Sequence, residues 1–180
     1  MRLNKPALAS TLTLAFSLIV CTPQIAHAQW RPASQVGLSS APPLQLNNLT
    51  GNPVNIANYK NKVILVNFWA SWCEPCREEF DELIQLQEKY GPKGLIVLAV
   101  NLAEMKPRIM QFLKGNGIAE NRIEILMDRN SLIYKSWKAR GIPTAFLVAK
   151  NGKIEGVWIG AIENADDDSV KNKIETLLRE

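Results

Sequence analysis

Cys73 and Cys76 are the two groups in this 180-residue chain whose type and spacing most directly suggest chemistry. They stand in Trp72-Cys73-Glu74-Pro75-Cys76. Two cysteines at this spacing suit four tasks: half of a zinc site, haem attachment, a structural staple, or a redox couple. A zinc site needs a second ligand pair, and the sequence offers none. Haem attachment needs a histidine after the second cysteine, and Arg77 is there instead. A staple closing so short a loop constrains the unfolded chain little. The redox couple is the strongest of the four.

Thiol–disulfide exchange needs a thiolate, and the flanking sequence supplies a place to stabilise one. Val63-Ile64-Leu65-Val66-Asn67-Phe68-Trp69 is a nearly continuous apolar run with β-branched residues, which predicts a strand buried on both faces. From Cys76 to Tyr90 the pattern turns helical, with Phe80, Leu83, Ile84, Gln87 and Tyr90 at three- and four-residue steps. The pair therefore opens a helix, where unpaired N–H groups and the positive end of the dipole favour a thiolate. Cys73, the more exposed of the two by position, is assigned as the nucleophile. Cys76, one turn deeper, is assigned as the resolving thiol. Pro75 lacks an N–H and suits a first helical turn.

The remaining pattern predicts the elements that position this pair. Leu44, Leu46 and Leu49, then Thr50-Gly51-Asn52-Pro53, then Val54 and Ile56 read as a β-hairpin. Leu95 to Val100 is a second buried strand, and Pro107 to Leu113 a short helix. Ile123 to Met127 is a strand, Leu132 to Trp137 a short helix or turn. Thr144 to Val148 and Ile154 to Ile159 flank the turn Asn151-Gly152. Asp166 to Leu178 is an amphipathic helix with acid at its start. The order predicts an α/β fold with a mixed sheet and helices on both faces.

The N-terminus reads as an export signal. Arg2 and Lys5 precede a 14-residue apolar run from Leu8 to Cys21, shorter than the roughly 20 residues of a spanning helix. Ala26-His27-Ala28 is a small-x-small cleavage site. The expected organisation is a signal peptide at 1–28, a flexible lead-in at 29–43 rich in Ser, Pro and Ala, and one domain at 44–180. Uncleaved, the same segment would serve as a membrane anchor. Cleavage removes His27, the only histidine, and so excludes Ser-His-Asp and Cys-His mechanisms from the mature chain. It also lowers the net charge from +4 to +2, since residues 1–28 carry Arg2 and Lys5 and no acid. No basic block interleaves with aromatics, so no nucleic-acid partner is expected.

The stretch Phe68-Trp69-Ala70-Ser71-Trp72-Cys73-Glu74-Pro75-Cys76-Arg77-Glu78-Glu79-Phe80 closely resembles the active-site segment of the TlpA/ResA/CcmG group of extracytoplasmic thioredoxin-like proteins. The likeness of pattern runs from about Leu44 to the C-terminus. It implies a thioredoxin fold with an N-terminal hairpin and an extra strand-helix section near 101–130. It implies that Gly141-Ile142-Pro143-Thr144 is a cis-proline loop facing the pair, with Ile142 touching the partner and tuning redox poise. It also implies an acidic residue close to the buried cysteine at Glu79, to exchange the Cys76 proton or raise the thiol pKa. From spacing alone, Glu79 reads equally well as a solvated helix carboxylate. Trp72 and Glu74 are expected at the partner-docking surface with Pro75. One departure concerns shape: the group often has proline after the residue at Phe80, kinking the helix, and this chain has Asp81.

The resemblance implies a reductase acting on protein disulfides outside the cytoplasm, in a periplasm or equivalent compartment. Cytochrome c maturation, with a membrane electron donor, is the kind of pathway it suggests. No cofactor or metal is implied, and a monomer is the expected form. Three alternatives differ in class. A disulfide oxidant or isomerase would use the same couple in another direction. A soft-metal carrier would hold its ion through both thiolates. A peroxidase would need a peroxidatic cysteine context that is missing.

Overall fold

The computed structural model describes residues 30–180. The expected signal segment, with Cys21 and His27, lies outside the described residues. Among the described residues, no helix is long and apolar enough to cross a membrane.

A five-stranded mixed sheet forms the centre. Its strands are β3 (Val63–Trp69), β4 (Leu95–Leu102), β5 (Glu124–Asp128), β6 (Thr144–Val148) and β7 (Ile154–Ile159), in the order β5-β4-β3-β6-β7. β3 and β4 are parallel, as are β4 and β5, while β6 runs antiparallel to both β3 and β7. β3 is central and every one of its residues is buried, as the unbroken apolar run predicts. Alternate side chains enter separate cores, Leu65 and Trp69 on one face, Ile64, Val66 and Phe68 on the other.

The first face is covered by three helices, α2 (Phe80–Tyr90), α3 (Lys106–Gly115) and α5 (Asp168–Arg179), whose apolar stripes supply Phe80, Leu83, Ile109, Phe112, Val170 and Ile174. α5 starts on Asp167, whose carboxylate accepts from the N–H groups of Ser169 and Val170. The second face has a thinner helical cover than the first. Among the described residues its α-helix is the short α4 (Leu132–Ser136). Leu44 and Val54 of the hairpin β1 (Gln45–Asn47) and β2 (Pro53–Asn55) complete the cover. The hairpin joins the sheet edge through an Asn48↔Leu126 bridge and an Asn48 Nδ2 to Glu124 Oε1 hydrogen bond of 3.0 Å.

The flexible lead-in expected at 29–43 is a packed arm over the residues described. Arg31 bridges Val157 and Ser40 bridges Lys153, which lays the arm along β7, with a 3₁₀ turn at Ala33–Val36 between. Ala33 is buried, and Trp30 meets Trp158 edge-on with ring centroids 5.3 Å apart. Gly156 admits this contact: a Cβ there would stand 2.7 Å from Trp30 Cε3. The Ser/Pro-rich composition hid the arm because its anchors follow no period. Pairing with β7 also covers an otherwise open sheet edge.

Candidate functional site

The chain leaves β3 at Trp69, turns through Ala70–Cys73, and enters α1 (Glu74–Glu78). Cys73 N–H donates to Ala70 O at 3.2 Å, closing the turn. Cys73 is the residue that caps α1: its Sγ accepts the Cys76 N–H at 3.3 Å, and Pro75 lies in the first turn. The sulfur thus sits on the orphan donors of a helix start, the arrangement the sequence predicted. A disulfide joins Cys73 to Cys76. Cys73 keeps 6% of its surface and Cys76 none, so an attacking partner can reach only the first sulfur.

Beneath the pair, Trp69 packs against Phe80 and Phe112 with centroids 4.6 and 5.1 Å away. On the outside, Trp72 is 64% exposed. Glu74 is exposed and pairs with Arg77 at 3.2 Å, a surface contact of small energetic weight.

Glu79 lies at the junction of α1 and α2 with right-handed helical backbone: its N–H donates to Pro75 O at 3.2 Å and its carbonyl accepts the Leu83 N–H at 3.1 Å. The solvated alternative for Glu79 is overturned, since only 1% of its surface is exposed. Its Oε1 accepts from Asn67 Nδ2 at 2.9 Å and its Oε2 from the Ile162 N–H at 3.0 Å. Burial pushes its pKa up from 4.5 to about 7, with the two hydrogen bonds pulling partly back. Three residues on, Glu82 of α2 accepts the Ala165 N–H at 2.7 Å, so Glu79 and Glu82 both fasten the loop after β7.

The Ile142–Pro143 bond is cis. The pairing Phe68↔Thr144 puts Pro143 level with Trp69, at the sheet end from which the chain enters the cysteine turn. Pro143 is buried and its carbonyl accepts the Gly160 N–H at 3.0 Å, while Thr144 Oγ donates to Gly141 O at 2.8 Å. Ile142 is half-buried against both cores. The segment before it is held by an aromatic cluster in which Phe68 meets Tyr134, Trp137 and Phe146.

Cys73, Cys76, Glu79, Trp72, Glu74 and Pro75 therefore cluster at the end of β3, with Ile142 and Pro143 at the same end of the sheet. Sequence reasoning missed Asn67, the one polar residue in the β3 run and a readable signal. It also missed the loop residue Ile162, and a second buried carboxylate, Glu104, held by Ser71 and Asn101.

A dithiol that opens a helix on this sheet defines the class: the protein is a thiol–disulfide oxidoreductase of thioredoxin fold. The chain belongs to the Redoxin family, whose model matches residues 35–174. It is 30% identical over 139 residues to the thiol-disulfide oxidoreductase ResA of Geobacillus thermodenitrificans, covering 77% of this chain and 76% of that one. It is 28% identical over 124 residues to the ResA of Bacillus subtilis, covering 69% and 68%. A Chlorobium tepidum protein described as a thiol:disulfide interchange protein DsbE superposes with a TM-score of 0.70 at 32% identity, over 78% of this chain and 96% of that one. A Neisseria meningitidis protein described as a thioredoxin superposes with a TM-score of 0.67 at 26% identity, over 79% of this chain and 91% of that one. These findings bear out the resemblance drawn from residues 68–80 and the α/β fold it implied.

Proposed function

We propose that this protein is a reductant of protein disulfides, with Cys73 as attacking group, Cys76 as resolving group and Glu79 as proton carrier. The observation that carries the reading is the buried Glu79 carboxylate, three residues after Cys76, with a pKa near 7. A group poised there can take and return a proton near neutral pH.

The cycle balances as follows. Cys73 thiolate attacks one sulfur of a partner disulfide, and the other leaves as a thiolate. Cys76 gives its proton to Glu79 and attacks the Cys73 sulfur of the mixed disulfide. That step closes the Cys73–Cys76 bond and frees the second partner thiolate. Two electrons pass to the partner, and Glu79 returns its proton to a departing thiolate. Trp72, Ile142 and Pro143, with Glu74 and Pro75, form the surface against which the partner segment lies.

The export-type N-terminus supports action outside the cytoplasm, with or without a retained anchor. The likeness to the TlpA/ResA/CcmG group supports a disulfide of apocytochrome c as the substrate, reduced to its two thiols, and a membrane protein as electron donor. Reduction of a protein disulfide such as that of insulin tests the reading. A Cys73→Ser variant is expected to lose activity altogether, and a Cys76→Ser variant to accumulate the mixed disulfide. Native rates from Cys73→Ser would refute it.

A further inference from the structure

We propose that Glu104 is a positioning residue for the nucleophile, clamping the Ala70–Cys73 turn so that the Cys73 sulfur stays over the first turn of α1. The inference rests on Cys73 being the attacking group.

Glu104 follows β4 and is 8% exposed. Its Oε2 accepts the Ser71 N–H at 2.7 Å and Asn101 Nδ2 at 2.8 Å, and its Oε1 accepts the Ser71 hydroxyl at 2.6 Å. Among the described residues the one cation paired with it, Arg108 of α3, is mostly exposed and 3.9 Å away. Neutral donors therefore carry this buried charge, two of them from one residue of the turn. Burying a carboxylate is unfavourable unless it is fully hydrogen-bonded, and charge-assisted bonds of this length are strong. Ser71 is two residues before Cys73. Fixing its N–H and hydroxyl leaves the turn one course, which ends with Cys73 Sγ on the Cys76 N–H.

The backbone is bent to make this contact. Ala103 has φ of 58°, in the left-handed region that a Cβ disfavours, and its N–H is held by Asp128 O at 3.0 Å. That bend at the end of β4 directs Glu104 toward Ser71. Strained residues of this kind persist where the surroundings fix them, and they concentrate at functional sites. A negative charge in this region opposes a thiolate. Its presence is accounted for by position, with the donors of Ser71 and Asn101 offsetting the charge.

The test uses the rate of iodoacetamide alkylation against pH, followed at the Cys73 peptide by mass spectrometry in a Cys76→Ser background. Glu104→Ala removes the acceptors and the charge; Glu104→Gln removes the charge and keeps one acceptor. The expected result is about tenfold slower alkylation at pH 7 in Glu104→Ala, with the midpoint about one pH unit higher. Glu104→Gln falls between it and the parent. Loss of fold stability alone would not move that midpoint. Parent-like rates in Glu104→Ala, or faster alkylation in both variants, overturn the proposal, the second because charge rather than position would then govern the sulfur. Should Glu104→Ala fail to fold, Ser71→Ala removes one donor and is expected to slow alkylation about threefold; no slowing overturns the proposal. A parent Cys73 no more reactive than a free cysteine refutes the nucleophile reading instead, a result distinguishable before any Glu104 variant is made.

Discussion

Asn67 Nδ2 donates to Glu79 Oε1 at 2.9 Å, joining the centre of the middle strand to the junction of α1 and α2. Asn67 is fully buried and Glu79 nearly so. The bond holds a carboxylate in the protein interior, next in chain order to the helix that carries the cysteines. This neutral partner leaves desolvation as the dominant influence on Glu79.

That balance makes stability depend on pH. Glu79 binds its proton more tightly folded than unfolded, with a pKa raised from 4.5 to about 7. Between those values the native state holds more protons, so stability falls as pH rises, by up to about 3 kcal/mol from this group. Glu79→Gln cannot ionise and is expected to flatten the slope between pH 5 and pH 7. The amide keeps one acceptor where the carboxylate had two, so either Asn67 Nδ2 or the Ile162 N–H loses its partner, at a cost of about 1–3 kcal/mol across the whole range. Urea unfolding of both proteins at pH 5 and pH 8 checks this, and an unchanged slope would count against an ionising Glu79.

Asn67→Ala removes the side-chain donor that partly offsets burial. The Glu79 pKa is then expected to rise further, moving the midpoint of the pH–rate profile for disulfide reduction to higher pH. Stability is expected to drop by about 1–3 kcal/mol, from the unmade hydrogen bond and the space left. A profile that stays in place would separate Glu79 from the proton transfer.

Trp72→Ala deletes an exposed ring next to Cys73 in the chain. Its stability should stay within about 0.5 kcal/mol of the parent, as for other surface changes. The KM for a protein disulfide should rise several-fold, while the rate with a small disulfide such as oxidised glutathione changes little. Equal losses on both substrates would assign the ring to chemistry instead of docking.

Gly156→Ala tests the packed arm. The added Cβ would meet the Trp30 ring at 2.7 Å. Either the ring moves or the strand does, and overpacking of this sort costs about 1–3 kcal/mol. Faster proteolysis near residues 30–43 should accompany the loss. A variant as stable and as protease-resistant as the parent would show that the arm is not held there.

Much of this organisation is written locally. β3 announces itself by seven consecutive buried residues, and the cysteine turn by its place between that run and an amphipathic helix. Asn67 was visible as a polar interruption, yet its meaning depends on Glu79, twelve residues away and brought near only by the turn. Glu104 gave no signal, because its partner Ser71 is 33 residues earlier and the bend at Ala103 is made by a residue type that rarely adopts it. The arm at residues 30–43 was hidden for a related reason. Its order comes from Trp30 meeting Trp158 over Gly156, a tertiary fit that no composition reveals.

The reduction potential of the Cys73–Cys76 couple tests the central claim most directly. Equilibration with a thiol redox buffer, read by alkylation of the free thiols, would give it. A reductant of protein disulfides is expected near thioredoxin, at about −270 mV or lower. A value near about −120 mV, where the strongly oxidising periplasmic couple lies, would contradict the account and make the protein a donor of disulfides.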